Sequence, residues 1–194
     1  MPKTATQNAL IKERRKAQIM ETALKLFANY GIDNVTVDNI SQSLKISHGL
    51  FYHYFEDKED LVNALIAKAK ENFKKALDSV KQEVATPAQL MHKITTACLS
   101  NINASEVDAY YLYLVLSLNF QNSSNALDFT TNLQKYLVKV IKEGVEEKSF
   151  VDIDEYEIAS IYLAALQGIA YHKIKFKKNY KVPEVDSIMH VLLK

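Results

Sequence analysis

The chain has 194 residues with only four glycines, three prolines, one cysteine and no tryptophan. Glycine and proline interrupt helices, so their scarcity favours long helices with short connections. The single cysteine, Cys98, cannot form an intramolecular disulfide, which fits a reducing compartment. The sequence also has no apolar run that could form a signal peptide or cross a membrane. We therefore expect a cytoplasmic protein with no membrane partner.

Motifs that support catalysis are also missing. The sequence has no GxSxG motif, no P-loop, no HExxH motif and no paired cysteines. Two of the five histidines, His48 and His53, are close in sequence, but a spacing of five does not place them on one helix face. We therefore predict that the protein is not an enzyme and needs no metal or cofactor.

Charge is distributed unevenly along the chain. Residues 1–55 contain seven lysines and arginines against four acidic residues, a balance of +3. Residues 56–194 contain seventeen against nineteen, a balance of −2. A basic N-terminal part on a mildly acidic body is typical of a nucleic-acid-binding domain joined to a second module.

The stretch from Thr36 to Phe55, TVDNISQSLKISHGLFYHYF, predicts two short helices joined by a tight turn. Thr36 and Ser47 are good N-caps for the two helices. The second helix is predicted to run from Ser47 to Phe55, with Phe51 and Phe55 as its buried edge. Its other faces carry rings with polar tips, which suit phosphates and base edges in a major groove. Two helices in this arrangement form a helix-turn-helix.

Residues 15–65 resemble the N-terminal DNA-binding domain of the TetR family of transcriptional regulators. The matching residues are Arg15, Ile19, Ala23, Leu26, Phe27, Gly31, Thr36, Val37, Ile40, Ile46, Ser47, Gly49, Tyr52, Tyr54, Phe55, Lys58 and Leu61. The sequence departs from the family at Ser41 and Leu44, where alanine is usual, and at His48, where lysine or arginine is usual. Lys45 replaces the usual turn glycine, so we expect a left-handed backbone at this lysine.

The remainder of the chain resembles the family only in its length and helical pattern. A helix is predicted from about Leu10 to Tyr30, ended by Gly31, and a long helix from Lys58 to about Val80. Further helices begin near Thr86, Ser105, Ser124, Asp154 and Pro183. The predicted fold is all-α with about nine helices. Residues 10–57 form the helix-turn-helix domain, and residues 58–194 form an effector-binding and dimerisation domain.

The resemblance implies an effector pocket between the helices of the second domain. The candidates are polar or aromatic residues on otherwise apolar helices: Cys98, Asn101, Tyr110, Tyr113, Ser117, Phe120 and Gln167. Such a lining suits an apolar or aromatic effector of low charge. Each residue could instead be a packed core residue with a satisfied polar tip.

The resemblance also implies a homodimer. In the TetR family a four-helix bundle forms across a two-fold axis, and small residues let helices approach closely. The candidates are Ala164, Ala165 and Gly168, together with Ile188 and Val191 of the last helix. Packing within one chain is the alternative explanation for these small residues.

We therefore predict a homodimeric DNA-binding regulator, most simply a repressor released by a small effector from a near-palindromic operator. Thr36, Ser47, Tyr52, Lys58 and the backbone at Gly49 are expected to contact phosphates. His48, Leu50 and His53 are expected to face base edges, with Tyr54 on the same surface. An activator is the alternative within regulation. The alternative from another class is a helical small-molecule carrier that no longer binds DNA.

Overall fold

The computed structural model describes residues 5–81, 86–117, 124–190 and 192–193, and these residues contain nine α-helices. The helices are α1 (Ala5–Tyr30), α2 (Val37–Leu44), α3 (His48–Tyr52), α4 (Lys58–Lys81), α5 (Pro87–Ala104), α6 (Glu106–Ser117), α7 (Ser124–Glu146), α8 (Glu155–Phe176) and α9 (Val185–Met189). Within these ranges the extended pairing is limited to an isolated bridge between Phe150 and Leu193. The predicted all-α fold is confirmed.

The chain divides into two compact units, Met1–Ala67 and Lys68–Lys194. The division between the two units therefore lies inside α4, after the first ten residues of this helix. The functional boundary between residues 57 and 58 stays a prediction. Among the described residues, no helix is both long enough and apolar enough to cross a bilayer.

The core of the first unit begins with the apolar stripe of α1. Ile19, Ala23, Leu24 and Phe27 are all buried on this helix. Tyr30, the last residue of the helix, has a side chain that is 64% exposed. Gly31 ends the helix with a φ of 82°, and its N–H donates to the Phe27 carbonyl at 2.8 Å. The predicted left-handed glycine at this helix end is confirmed.

Local hydrogen bonds fix both ends of α2. Thr36 and Asn39 form a capping box, in which the Thr36 hydroxyl accepts from the Asn39 N–H and the Asn39 carboxamide oxygen accepts from the Thr36 N–H. At the other end Lys45 has a φ of 55° and a ψ of 45°. The left-handed conformation expected at this lysine is confirmed. It lets the N–H groups of Lys45 and Ile46 reach the carbonyls of Gln42 and Ser41, as in a Schellman motif.

The second unit packs α8 against α6 and α7, while α5 packs against α6, α7, α8 and α9. Its helix starts follow the predicted caps: Thr86 accepts from the Gln89 N–H, and Asp154 accepts from the N–H groups of Tyr156 and Glu157. The α7–α8 connection is built around Gly144. Phe150 is buried against this glycine, and a methyl group there would overlap the phenyl ring.

The last helix is shorter than predicted. We expected it to run from near Pro183 to Leu192, whereas α9 spans only Val185–Met189. The reason lies in the backbone after the helix, because the Leu192 carbonyl accepts from the Val151 N–H at 3.0 Å. This pairing takes the chain out of helical geometry and closes the bridge between Phe150 and Leu193.

Candidate nucleic-acid interface

Helix α3 is a single turn that starts at a capped serine. The Ser47 hydroxyl accepts from the Leu50 N–H at 3.2 Å. The helix was predicted to continue to Phe55, but it ends at Tyr52 and His53 is its C-cap. The Tyr54 N–H donates to the Phe51 carbonyl, only three residues back, at 2.9 Å, which tightens the backbone. His53 and Tyr54 therefore lie in the turn after α3 rather than on the helix.

Two phenylalanines anchor this segment. Phe51 is fully buried and Phe55 is 2% exposed, with ring centroids 5.8 Å apart. They are buried in the same unit as Ile40 of α2. Burial of two such side chains contributes roughly 3–6 kcal/mol, far more than a single helical turn supplies alone. The anchor decides which side chains of the segment face solvent.

Most of the predicted DNA-contacting side chains are on the solvent side of this anchor. Leu50 and Tyr54 are half-buried, and the others around the segment are exposed: Ser47, His48, Gly49, Tyr52 and His53. The rings pack edge to face. The ring centroids of Tyr52 and Phe51 are 5.5 Å apart, and those of His53 and Tyr54 are 5.1 Å apart. The structure therefore brings these seven residues together on one short segment.

Two predicted phosphate-binding side chains, Thr36 and Lys58, also form hydrogen bonds within the protein. The Thr36 hydroxyl lies 2.9 Å from the carboxamide oxygen of Asn39, which uses its proton within the cap of α2. The Lys58 ammonium donates to the carbonyls of Ile32 and Val35 at 3.0 and 3.1 Å. Lys58 therefore holds the α1–α2 connection in place, and only one of its three N–H groups is left for a phosphate. Sequence reasoning missed this structural role.

An acidic residue lies beside the predicted base-reading side chains. Nε2 of His48 pairs with the Asp38 carboxylate in the first turn of α2, and both side chains are about half exposed. Sequence reasoning missed Asp38, because an acidic residue in a first turn already has a structural explanation in the helix dipole. A base contact by His48 through Nε2 must compete with this pair.

Cationic side chains near the segment come from α1 and from the turn before α3, where Lys45 is exposed. Helix α3, HGLFY, has no lysine or arginine. Lys12 and Arg14 of α1 are exposed, and Arg15 and Lys16 are half-buried. The Lys16 ammonium lies 5.4 Å from the centroid of the Phe55 ring, next to the anchor of α3. Helix α3 therefore carries no positive charge for a phosphate backbone, and Lys45 and Lys16 are the cations shown next to it.

The predicted effector residues differ in their burial. Tyr110 is buried on α6, and Cys98, Tyr113 and Gln167 are half-buried, whereas Asn101 is exposed and does not belong to an interior lining. The side chains of Ser117 and Phe120 lie outside the described residues. Burial raises the pKa of the Cys98 thiol to about 11, which disfavours the reactive thiolate.

Two buried polar residues of the second unit were missed. The Tyr162 and Thr95 hydroxyls lie 2.9 Å apart, and Thr95 donates its proton to the Met91 carbonyl at 2.7 Å. Tyr162 thus donates to Thr95, and burial raises the pKa of its phenol well above the ordinary range. These residues are 67 positions apart, so helical periodicity could not pair them.

An open cavity of about 310 Å³ lies between the start of α5 and the end of the chain. Apolar atoms form almost all of its surface. The lining residues are Ala88, Gln89, His92, Lys93, Met189 and Leu193. None of the predicted effector residues belongs to it. The pocket predicted from resemblance and this observed cavity are therefore different places.

The predicted dimerisation residues divide between two helices. On α8, Ala164 is exposed and Ala165 and Gly168 are half-buried, and a methyl group added at Gly168 would meet open space. Ile161, one turn earlier, is 51% exposed. Ile188 on α9 is half-buried, and Val191 lies outside the described residues.

Helix α9 does not supply a long helix to a four-helix bundle between two protomers. This helix has five residues, and its buried Met189 lies 3.6 Å from the Thr95 hydroxyl of α5. The dimer contact expected from the last helix stays a prediction, now for a helix of five residues. Helix α8, by contrast, has 22 residues and a solvent-facing apolar side.

A helix-turn-helix of this kind, with a separate helical second unit, is the architecture of a one-component transcriptional regulator. Residues 19–65 match the family model for bacterial regulatory proteins of the tetR family. Residues 19–65 therefore carry a DNA-binding domain of the TetR type, and curated relatives of the chain are transcriptional regulators.

Two curated relatives illustrate the match. The transcriptional regulator HbdR of Aromatoleum sp. (strain CIB) is 34% identical over 94 residues, which are 48% of this chain and 38% of HbdR. The transcriptional repressor KstR2 of Rhodococcus jostii (strain RHA1) is 26% identical over 164 residues, which are 82% of this chain and 79% of KstR2. The chain spans only 31% to 38% of the length of HbdR and two further curated relatives.

Solved structures match nearly the whole chain. MbdR from Azoarcus sp. CIB superposes with a TM-score of 0.75 at 20% identity, over 92% of this chain and 96% of MbdR. AibR, solved in complex with isovaleryl coenzyme A and operator DNA, superposes with a TM-score of 0.68 at 15% identity, over 91% and 94%. At these identities the likeness concerns the fold.

Ser41, one of the departures from the family pattern, supports a stability prediction. Its side chain is 1% exposed, and within the described part of the chain its hydroxyl has no hydrogen-bond partner. Leaving a buried hydroxyl unsatisfied costs about 1–3 kcal/mol, so Ser41→Ala should raise the thermal unfolding midpoint of the protein. Ser43→Ala, on the exposed side of the same helix, is the matched control and should change it little. Equal midpoints for both variants would contradict the assignment.

Proposed function

We propose that the protein is a cytoplasmic homodimeric repressor that binds a near-palindromic operator through α3 and is released by a small effector. The observation that carries the DNA-binding surface is the burial of Phe51 and Phe55, which leaves the polar-tipped side chains around them facing solvent. KstR2 of Rhodococcus jostii bears the name of a repressor, and AibR has been solved with operator DNA, which supports this direction.

The proposed DNA contacts are of two kinds: phosphate contacts position the protein on the duplex, and base contacts read its sequence. The Ser47 hydroxyl, the Gly49 backbone and the Tyr52 phenol are proposed to bind phosphates, with smaller contributions from Thr36 and Lys58 because their donors are already engaged. Leu50, His48 and His53 are proposed to face base edges, with Tyr54 alongside. Leu50 suits the methyl group of a thymine.

Gly49→Ala separates a DNA role of this glycine from a folding role. Gly49 is exposed, and a methyl group there would meet open space in the free protein. Alanine should therefore leave stability unchanged or raise it by up to about 1 kcal/mol, since glycine is the poorer helix former. Operator affinity should fall, because the DNA backbone is proposed to approach this position closely. The measurements are thermal unfolding and fluorescence anisotropy with operator DNA; undiminished affinity would remove Gly49 from the interface.

Leu50→Ala and Tyr52→Phe should have different effects on DNA recognition. Phosphate contacts position without specifying, so loss of the Tyr52 hydroxyl should weaken binding to all sequences alike. Loss of the Leu50 side chain should change base preference at one or two positions, by about 1–3 kcal/mol each. The measurement is selection of bound sequences from a random duplex pool, followed by salt-titrated binding. The proposed orientation of α3 is wrong if Tyr52→Phe alters preference and Leu50→Ala does not.

The homodimer is proposed to form through the exposed side of α8. Ile161, Ala164, Ala165 and Gly168 recur at spacings of three and four and give this side a continuous apolar surface of mostly small residues. The open space above Gly168 leaves room for a second helix. A two-fold dimer would present two reading helices about one DNA turn apart, roughly 34–36 Å, and therefore requires a near-palindrome.

Gly168→Glu tests this surface without disturbing the protomer. An unpaired charge in an apolar helix–helix contact is costly, so the variant should sediment as a monomer and lose most of its operator affinity. Asn132→Glu places the same charge on an exposed position of α7 and should leave the dimer intact. A monomeric wild type at micromolar concentration, or a dimeric Gly168→Glu variant, would contradict the proposed interface.

Effector binding is proposed for the second unit, near Tyr110, Tyr113, Cys98 and Gln167, with α4 carrying the response because this helix contributes residues to both units. These side chains favour an apolar or aromatic molecule of low charge. Asn101, which is exposed, is no longer a candidate. The observation that isovaleryl coenzyme A binds AibR supports a small-molecule effector in this fold without identifying it here.

Coupling between effector and operator must be reciprocal. If an effector weakens operator binding by some factor, the operator must weaken effector binding by the same factor. The effector can be identified by mass spectrometry of small molecules released from the purified protein. Its affinity is then measured by calorimetry with and without operator. Equal affinities in both conditions would exclude a ligand-released repressor.

A helical carrier without DNA-binding activity is the alternative. The same binding assay decides between the two, because a carrier would bind its ligand but show no salt-dependent affinity for any duplex. An activator would bind the operator like a repressor, and a reporter gene placed behind that operator distinguishes these two.

A further inference from the structure

Residues 171–181, YHKIKFKKNYK, form the most basic segment of the chain. Five of these eleven residues are lysines, four are tyrosine, histidine or phenylalanine, and none is acidic. The segment comprises the last turns of α8, the 3-10 turn Lys177–Asn179 and the two residues after it. We call it the basic-aromatic corner. It belongs to the second unit, so the proposed helix-turn-helix function does not account for it.

The lysines of the basic-aromatic corner are of two kinds. Lys173 and Lys175 lie in the last turn of α8, where they complement the negative end of the helix dipole. Lys177, Lys178 and Lys181 follow the helix, and within the described residues their ammonium groups form no ion pair or hydrogen bond. These three lysines fall within five residues of sequence, and like charges repel one another, which a bound anion would relieve.

Aromatic rings form a connected group beside these charges. The His172 ring lies 5.8 Å from Phe176 and 5.5 Å from Tyr180, at interplanar angles of 52° and 60°. Tyr171 lies 5.9 Å from His172 and 5.6 Å from Tyr113. None of these neighbours stacks in parallel on the imidazole, and Phe176 is 56% exposed. Ring faces are therefore available for a further aromatic group.

The backbone at the start of the 3-10 turn is strained. Lys177 has a φ of 50° and a ψ of −123°, a conformation that favours glycine. Strain at a non-glycine residue persists only where the surrounding structure holds it, and it is concentrated at ligand sites. Here it lies in the middle of the lysines and rings of the basic-aromatic corner.

We propose that the basic-aromatic corner binds a small ligand that carries both an aromatic base and phosphate groups, which is the chemistry of a nucleotide. Lys177, Lys178 and Lys181 supply charge for the phosphates, and the faces of Phe176 and His172 supply a stacking platform for the base. The rings of Tyr171, Phe176 and Tyr180 all contact the ring of His172 rather than following one another along a line. This arrangement suits a single base and not the successive bases of a strand.

The probe for this site is ADP, titrated into the full chain by isothermal calorimetry. Pyrophosphate, which has charge without a base, and adenosine, which has a base without charge, should each bind more weakly than ADP. Lys177→Ala combined with Lys178→Ala should lower ADP affinity about tenfold or more, which corresponds to about 1.4 kcal/mol. Alanine retains a Cβ at position 177, so the strain there is unchanged. Phe176→Leu, which keeps the bulk but not the ring, should also weaken ADP binding.

Lys135→Ala combined with Lys142→Ala is the matched control, because it removes two exposed lysines from α7. It should leave ADP affinity unchanged. The proposal is overturned if pyrophosphate binds as tightly as ADP, or if the control variant loses as much affinity as the corner variant. It is also overturned if a short single-stranded oligonucleotide competes more strongly than ADP, since the corner would then be a nucleic-acid surface. Operator binding by the same variants should be unaltered, which separates this test from that of the regulator.

Discussion

Burial of Phe51 and Phe55 is the interaction on which the proposed DNA-binding surface depends. Helix α3 has five residues, too few to hold its own conformation in water. Its orientation is therefore set by where these two rings are buried, and not by its internal hydrogen bonds. Once they lie in the core with Ile40, the side chains of His48, Tyr52 and His53 have no position other than the solvent side.

Features that depend on neighbouring residues were predictable from sequence. The caps at Thr36, Ser47 and Asp154 and the left-handed Gly31 follow from backbone demands within one or two turns, whereas the left-handed Lys45 followed from the resemblance. The resemblance added the family and the expected register of the helix-turn-helix. The extent of α3 was overestimated because helical spacing alone does not reveal where the backbone tightens.

Features that join distant residues were not predictable. Lys58 donates to carbonyls 26 and 23 residues earlier, and Thr95 pairs with a tyrosine 67 residues later. Both join elements whose relative position depends on the packed core, which no periodicity encodes. The end of α9 was missed for the same reason, since the Leu192 carbonyl finds its partner at Val151. A phosphate contact was predicted for Lys58, and its position in the fold also gives this lysine a structural role.

Affinity and sequence preference would then come from different helices of the first unit. Helix α3 has no lysine or arginine, and its own polar neighbourhood includes the Asp38 carboxylate. Counterion release follows the number of cations that contact phosphates, so the salt dependence of DNA binding would depend on cations outside α3, such as Lys16 of α1 and Lys45 in the turn before α3. Base preference would depend on uncharged side chains such as Leu50, whose contacts change little with ionic strength. A regulator built in this way can change its operator through α3 while α1 keeps its general affinity for DNA.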